Sequence, residues 1–238
     1  DKFNSPAQRP VKMPESMAAS DYLAQAFNER PGEIALVVTG PLTNIALALR
    51  KDSGIARKIK HAYIMGGCFQ TPGNITPVTE YNIWADPEAA KIVFNSGMAI
   101  TCVPLDICED NRFACGMFTR DHIADLVNQG SNKAVEFIAD KFPIYIDIWR
   151  EYFQLGGFPM DDAIALALTV DEDLCKYSAP VYIDIELEGT LSRGQTVAYF
   201  GRQILKTGQG KEPNCRIATY LDGRRFIDGF VDAILEKK

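Results

Sequence analysis

Asp161 and Asp162 open an apolar stretch, Asp161 to Val170, whose hydrophobic residues recur at helical spacing. A carboxylate at such a position caps the first turn, binds a metal or faces solvent. Neighbouring residues on a helix do not share a face. At most one of the pair therefore points inward, and Asp161 is taken as that one, with Asp162 capping or facing outward. Thr39 offers a second oxygen in the run Thr39-Gly40-Pro41-Leu42-Thr43-Asn44, where a strand hands over to a helix. Ligands collect at that edge of a parallel sheet. The carbonyl of a last strand residue has no obligatory ladder partner, and as a hard oxygen it suits calcium or magnesium. The bland alternative is a plain strand-to-helix turn.

A third group follows Met65-Gly66-Gly67: the loop Asn74-Ile75-Thr76-Pro77-Val78-Thr79-Glu80-Tyr81-Asn82, ahead of Asp86-Pro87-Glu88. Glu80 only accepts hydrogen bonds, whereas Asn74 and Asn82 donate and accept, so together they can grip the vicinal hydroxyls of a sugar. Ordinary turn and capping work is the alternative. The Gly66-Gly67 pair alone does not make a phosphate loop. Trp84, Trp149, Tyr81 and Phe158 either stack on a flat ring or fill the core. His61 and His122 are the only histidines, and both fall in scaffold or surface segments, so neither is placed in the site.

These groups need a frame, and the hydrophobic pattern supplies one. Helical spacing runs from Ser16 to Glu29 and stops at Pro31-Gly32; Ile34 to Val38 is then a short aliphatic run too brief for a helix. It reads as a strand buried on both faces, central in a parallel sheet. A helix from Leu42 to Arg50 opens behind Pro41. Next come a strand at His61 to Met65, a helix at Asp86 to Asn95 and a strand at Ala99 to Val103. Strands alternating with helices imply parallel crossovers and a doubly wound, mostly parallel α/β sheet with helices on both faces. Thr119 to Phe153 reads as helices interrupted near Gly130 and Pro143. Strands are expected at Val181 to Leu187, Thr196 to Phe200 and Arg216 to Tyr220, before a last helix from Arg224 to Leu235. No linker divides the chain, so residues 1–238 are read as one domain.

With 47% hydrophobic and 24% charged residues, the composition is that of a globular protein with one sizeable core. The net charge of −6 is spread along the chain, which argues against a nucleic acid polymer as partner and for a small neutral or weakly cationic ligand. No apolar run reaches membrane-spanning length, so no membrane partner is expected. Cys68, Cys102, Cys108, Cys115, Cys175 and Cys215 show neither zinc-site pairing nor the density of a disulfide scaffold. They read as free, mostly buried thiols in a reducing, cytoplasmic setting.

Taken in order, VVTGPLTNIALAL, YIMGG, GNITPVTEYNIWADPEAAKIVF, the MDDAIALAL helix and SRGQTV resemble the inosine–uridine preferring nucleoside hydrolases from one end of the chain to the other. The resemblance implies Ca2+-dependent hydrolysis of a ribonucleoside's N-glycosidic bond to free base and ribose, with a homodimer or homotetramer as the assembly. It implies calcium ligation by the Thr39 carbonyl and Asp161, close together at the carboxyl edge of the sheet. It assigns the ribose hydroxyls to Asn74, Glu80 and Asn82, with Met65 packing beside the sugar and Tyr81 in the same pocket.

Two departures accompany the resemblance. The family's aspartate-rich DxDPGxDD loop, which supplies the rest of the calcium shell and the catalytic base, does not occur in these 238 residues. No catalytic base is therefore assigned, the first strands of the sheet are expected to be absent, and these residues alone are expected not to turn over nucleosides. Met160 stands where many members carry a histidine that protonates the departing base, and methionine has no proton to give. A non-catalytic nucleoside- or ribose-binding relative is the alternative function. A dinucleotide-dependent oxidoreductase would share the sheet but needs a GxGxxG turn that is missing.

Overall fold

A computed structural model describes residues 13–109, 116–201, 203 and 211–236. Cys115 lies outside them; the other five cysteines are free and buried, as read from their spacing. The chain builds β1 (Ala35–Val38), α2 (Thr43–Lys51) and β2 (His61–Met65) behind a first helix α1 (Ala19–Glu29). Then come α3 (Tyr81–Ala85), α4 (Pro87–Phe94), β3 (Ile100–Val103), α5 (Leu105–Cys108), β4 (Met117–Phe118), α6 (Arg120–Gln129) and α7 (Lys133–Phe153). The remaining elements are β5 (Phe158–Pro159), α8 (Asp161–Ala167), β6 (Cys175–Tyr177), β7 (Tyr182–Ile185), β8 (Thr196–Tyr199), β9 (Arg216–Leu221) and α9 (Gly223–Ile234).

The main sheet has the order β1-β2-β3-β9-β6. Its first four strands run parallel, and β6 pairs antiparallel with β9. Side chains alternate between faces as a strand's period of two requires. Ala62 and Ile64 of β2 join a core with α1, α2 and α4, while Tyr63 and Met65 join a second core with α6 to α9. The same alternation sends Cys102 to the first core and Val103 to the second. The sheet is thus covered on both sides, the doubly wound arrangement expected of the pattern.

Two readings need correction. Among the described residues Ile34 to Val38 lies at an edge and not in the centre: β1 pairs only with β2, and Ala35 is exposed. An aliphatic run reports covered faces, and coverage of the faces says nothing of whether both edges are paired. Pro143 does not break its helix, since α7 runs through it. Val135, Ile138 and Ile146 bury one side of α7, Asn132 caps its start through Ala134 and Val135, and Gln154 ends it in the left-handed conformation at φ 57°. Packing outweighs one missing backbone donor. The strands expected within Val181 to Leu187 and Thr196 to Phe200 are present as β7 and β8, an antiparallel ribbon outside the main sheet, whose Ile183 and Ile185 pack onto the first core.

Candidate active site at the carboxyl edge of the sheet

β2 ends at Met65, whose side chain is buried, and the chain must then turn sharply. Gly67 turns it at φ +83°, and a Cβ there would sit 2.9 Å from Thr196 Cγ2. Only glycine meets both demands. The turn is pinned from three directions. Glu80 Oε2 accepts the Gly67 N–H at 3.1 Å, and Thr196 Oγ1 accepts from Cys68 N while donating to Cys68 O. Asp106 takes the N–H groups of Phe69 and Gln70 on its two oxygens, at 2.9 and 2.6 Å.

Glu80, 2% exposed, also caps α3. Its Oε1 accepts Asn82 N at 2.7 Å and its Oε2 accepts Ile83 N at 3.2 Å. A carboxylate has about four lone-pair sites, so three backbone donors leave one on Oε1. Burial holds the Glu80 carboxyl above the usual range, with the three N–H groups opposing that rise and Asp162 adding to it. The Asn82 amide, also buried, donates to the Met65 carbonyl and approaches its sulfur, at 3.2 and 3.3 Å. Asn74 Oδ1 accepts from Tyr81 N at 2.9 Å. The Tyr81 ring itself is half exposed and leans on Trp84 with centroids 6.2 Å apart. Met65, Asn74, Glu80 and Asn82 are thus drawn into one hydrogen-bonded group at the end of β2.

Across from this group stands the start of α8, which packs on β1, β2 and β3. Asp161 does not cap the helix: Met160 occupies the cap position and no side-chain cap bond forms. Asp161 Oδ1 is instead sealed from solvent without a hydrogen-bond partner. Burial raises its carboxyl far above the usual range, helped by the charges of Glu109, Asp162 and Glu80 and opposed by a hydrogen bond with Cys108. Asp162 is exposed, the outward member of the pair. Glu109 Oε1 is likewise sealed and unpartnered. Burial pushes the Glu109 carboxyl up to about 7, with Asn74 hydrogen-bonding it and Glu80 repelling it. Thr39 follows β1 at the same edge. Carboxylates on three elements therefore lie within electrostatic reach of one another, and two of their buried oxygens stay unsatisfied, a demand for donors or for a cation.

The sequence matches the family described as inosine-uridine preferring nucleoside hydrolase over residues 2–228. This chain belongs to that family. It is 34% identical over 196 residues to the pyrimidine-specific ribonucleoside hydrolase RihB of Shigella flexneri, covering 82% of this chain and 60% of that protein. Uridine nucleosidase 1 of Arabidopsis thaliana is 33% identical over 204 residues, 86% of this chain and 57% of the relative. The chain thus spans about three fifths of the length of these curated relatives. Among solved structures it is similar to a plant nucleoside hydrolase, with TM-score 0.86 at 28% identity over 97% of this chain and 71% of that one. A purine-preferring ribonucleoside hydrolase from Gardnerella vaginalis superposes with TM-score 0.83 at 29% identity, covering 96% and 69%.

In this nucleoside hydrolase chain the histidines stay out of the site. His61 Nε2 lies 2.7 Å from Thr101 Oγ1, and His122 joins the capping box of α6 through Thr119. His61 lines a cleft of about 890 Å3 with Ile100 and Arg216. That cleft opens at the first residues of β2, β3 and β9, the opposite edge from the acidic group. Its polar groups answer one another, Arg216 reaching Thr101 and Glu172, and Tyr63 reaching Glu172. The candidate site is therefore marked by the unsatisfied carboxylates and not by the size of a cleft. Among the described residues no three His, Cys, Asp or Glu side chains form a metal-holding group, and no helix is long and apolar enough to cross a membrane. Sequence reading missed Glu109, Cys108, Asp106 and Thr196. LDICED carries no spacing signal that tells an inward acid from a capping one, and Thr196 acts across 128 residues on Cys68.

Proposed function

We propose that this protein hydrolyses the N-glycosidic bond of ribonucleosides to free base and ribose, with a calcium ion in its site. The observation that carries the reading is the sealed, unpartnered Oδ1 of Asp161 at the carboxyl edge of the sheet, opposite the Asn74–Glu80–Asn82 group. A buried carboxylate without a counter-charge is costly, and a hard divalent cation answers it with oxygen ligands. Asp161 and the Thr39 carbonyl would hold that ion. Bound there, it supplies a Lewis acid that lowers the pKa of a coordinated water.

The chain's own residues then handle the sugar. Asn74, Glu80 and Asn82 orient ribose hydroxyls, Glu80 through its remaining lone pair. As the bond to the base breaks, positive charge grows on the sugar, and the nearby carboxylates of Glu80, Glu109 and Asp161 stabilise it more than they stabilise neutral substrate. No Lys or Arg stands among these groups, so a nucleoside fits and a nucleotide, with its phosphate, does not. Met160 is buried in the second core and contributes packing, leaving the proton for the base to another source.

The test is release of free base from uridine and inosine by the full-length protein, with calcium and with a chelator. Turnover that needs calcium and is lost in Asp161→Ala supports the reading. Undiminished turnover in chelator removes the ion, and failure to release base from any nucleoside removes the activity.

A further inference from the structure

Glu109 ends α5 one residue beyond Cys108 and belongs to none of the stretches that suggested a sugar site. Its Oε1 is closed off from solvent and accepts no hydrogen bond. Around it stand Asn74, which already donates to this carboxylate, and the acids Glu80 and Asp161. Glu80 is engaged with three backbone N–H groups, Asp161 has an unpartnered oxygen of its own, and the Asn74 carbonyl is taken by Tyr81 N. Buried acceptors are almost always satisfied, and exceptions call for an explanation. Here, among the described residues, an acceptor is left without an answering group next to the residues that would hold a ribose.

We propose that Glu109 is a substrate-contacting residue whose Oε1 accepts a hydrogen bond from a hydroxyl or N–H of the bound nucleoside. This rests on the nucleosidase reading above and adds to it a specificity determinant. Opposite an ionised Glu109 the substrate group is a donor. A phosphate ester offers only acceptors and negative charge, and it would meet Glu109, Glu80 and Asp161 together, so Glu109 also helps to reject nucleotides.

The experiment compares the full-length protein with Glu109→Ala and the near-isosteric Glu109→Gln. It measures kcat/KM on uridine and inosine, on their 2′-, 3′- and 5′-deoxy forms, and on N3-methyluridine. A lost hydrogen bond to a charged group lowers kcat/KM about 10- to 100-fold, so Glu109→Ala should fall by that factor on the parent nucleosides. One analogue should break the pattern: the group that Glu109 contacts costs the wild type when deleted and costs Glu109→Ala almost nothing. Glu109→Gln, which keeps an acceptor oxygen, should recover part of the rate. Equal penalties in wild type and Glu109→Ala for every analogue, or no loss in either variant, overturn the contact while leaving the nucleosidase reading intact. If the wild type releases base from no nucleoside, that reading falls instead, and calorimetric binding of uridine decides for Glu109. Weaker binding by both variants supports the contact, and unchanged binding overturns it.

Discussion

Replacing Glu80 tests whether one buried carboxylate organises the site. It accepts three backbone N–H groups, Gly67 at 3.1 Å, Asn82 at 2.7 Å and Ile83 at 3.2 Å. Glu80→Ala strips all three of their acceptor. A buried donor left unsatisfied costs about 1–3 kcal/mol, but removing a carboxylate whose burial opposes its ionisation returns part of this, and water entering the space returns more. The expected loss is about 2–5 kcal/mol. Glu80→Gln keeps one oxygen. Its best orientation turns that oxygen to Gly67 and Ile83, which share Oε2, and sets the NH2 group against Asn82 N, so one donor is lost at about 1–3 kcal/mol. In a protein of this length each kcal/mol moves the melting temperature by about 2–4 °C. Urea and thermal unfolding should therefore rank wild type above Glu80→Gln above Glu80→Ala. Amide exchange should accelerate at all three N–H groups in Glu80→Ala and chiefly at Asn82 in Glu80→Gln. Two variants equal in stability to wild type, or exchange unchanged at these amides, would refute the reasoning.

Four further outcomes follow from the same geometry. Glu109, raised from its ordinary 4.5 to about 7 in the folded protein, holds its proton more tightly when folded. Its contribution is full below about pH 4.5 and is lost as pH climbs through 7, about 3 kcal/mol at 1.36 kcal/mol per unit; urea titrations in chelator should show the wild type losing ground to Glu109→Gln across that window, and a constant difference would contradict it. In Asp161→Asn a carboxyl whose ionisation burial opposes gives way to a neutral amide, so the variant should melt above wild type in chelator and should lose the stabilisation that calcium confers on wild type. Gly67→Ala forces a Cβ to 2.9 Å from Thr196 Cγ2 at φ +83° and should lower stability by about 1–3 kcal/mol, read from the urea midpoint. Asn82→Ala should slow base release about 100- to 1000-fold, the loss typical of a transition-state hydrogen bond; an unchanged rate would take Asn82 out of the site.

Much of the frame is legible in local sequence, because burial writes itself as period. His61 to Met65 and Ala99 to Val103 fall on β2 and β3, Asp86-Pro87 opens α4 through an Asp86 cap on Ala89 N at 3.0 Å, and MGG marks the turn that glycine alone can make. Those signals depend on neighbours a few residues away. Edges, partners and orientations do not. The run at Ile34 to Val38 carries the composition of a covered strand, yet its place in the sheet depends on what pairs with it. Pro143 carries a helix-breaking signal that packing of Ile138 and Ile146 overrules. In sequence Glu80 is a sugar-gripping candidate, and in the structure it is also the cap that ties α3 to Gly67, a double role set by three N–H groups converging from two segments. Asp161 and Glu109 show the limit most clearly. An Asp at a helix start and a Glu after a buried helical turn are ordinary in sequence. Fifty-two residues apart, they become chemistry only when α5 and α8 meet over the carboxyl ends of β2 and β3, where water is excluded and each charge must find a partner.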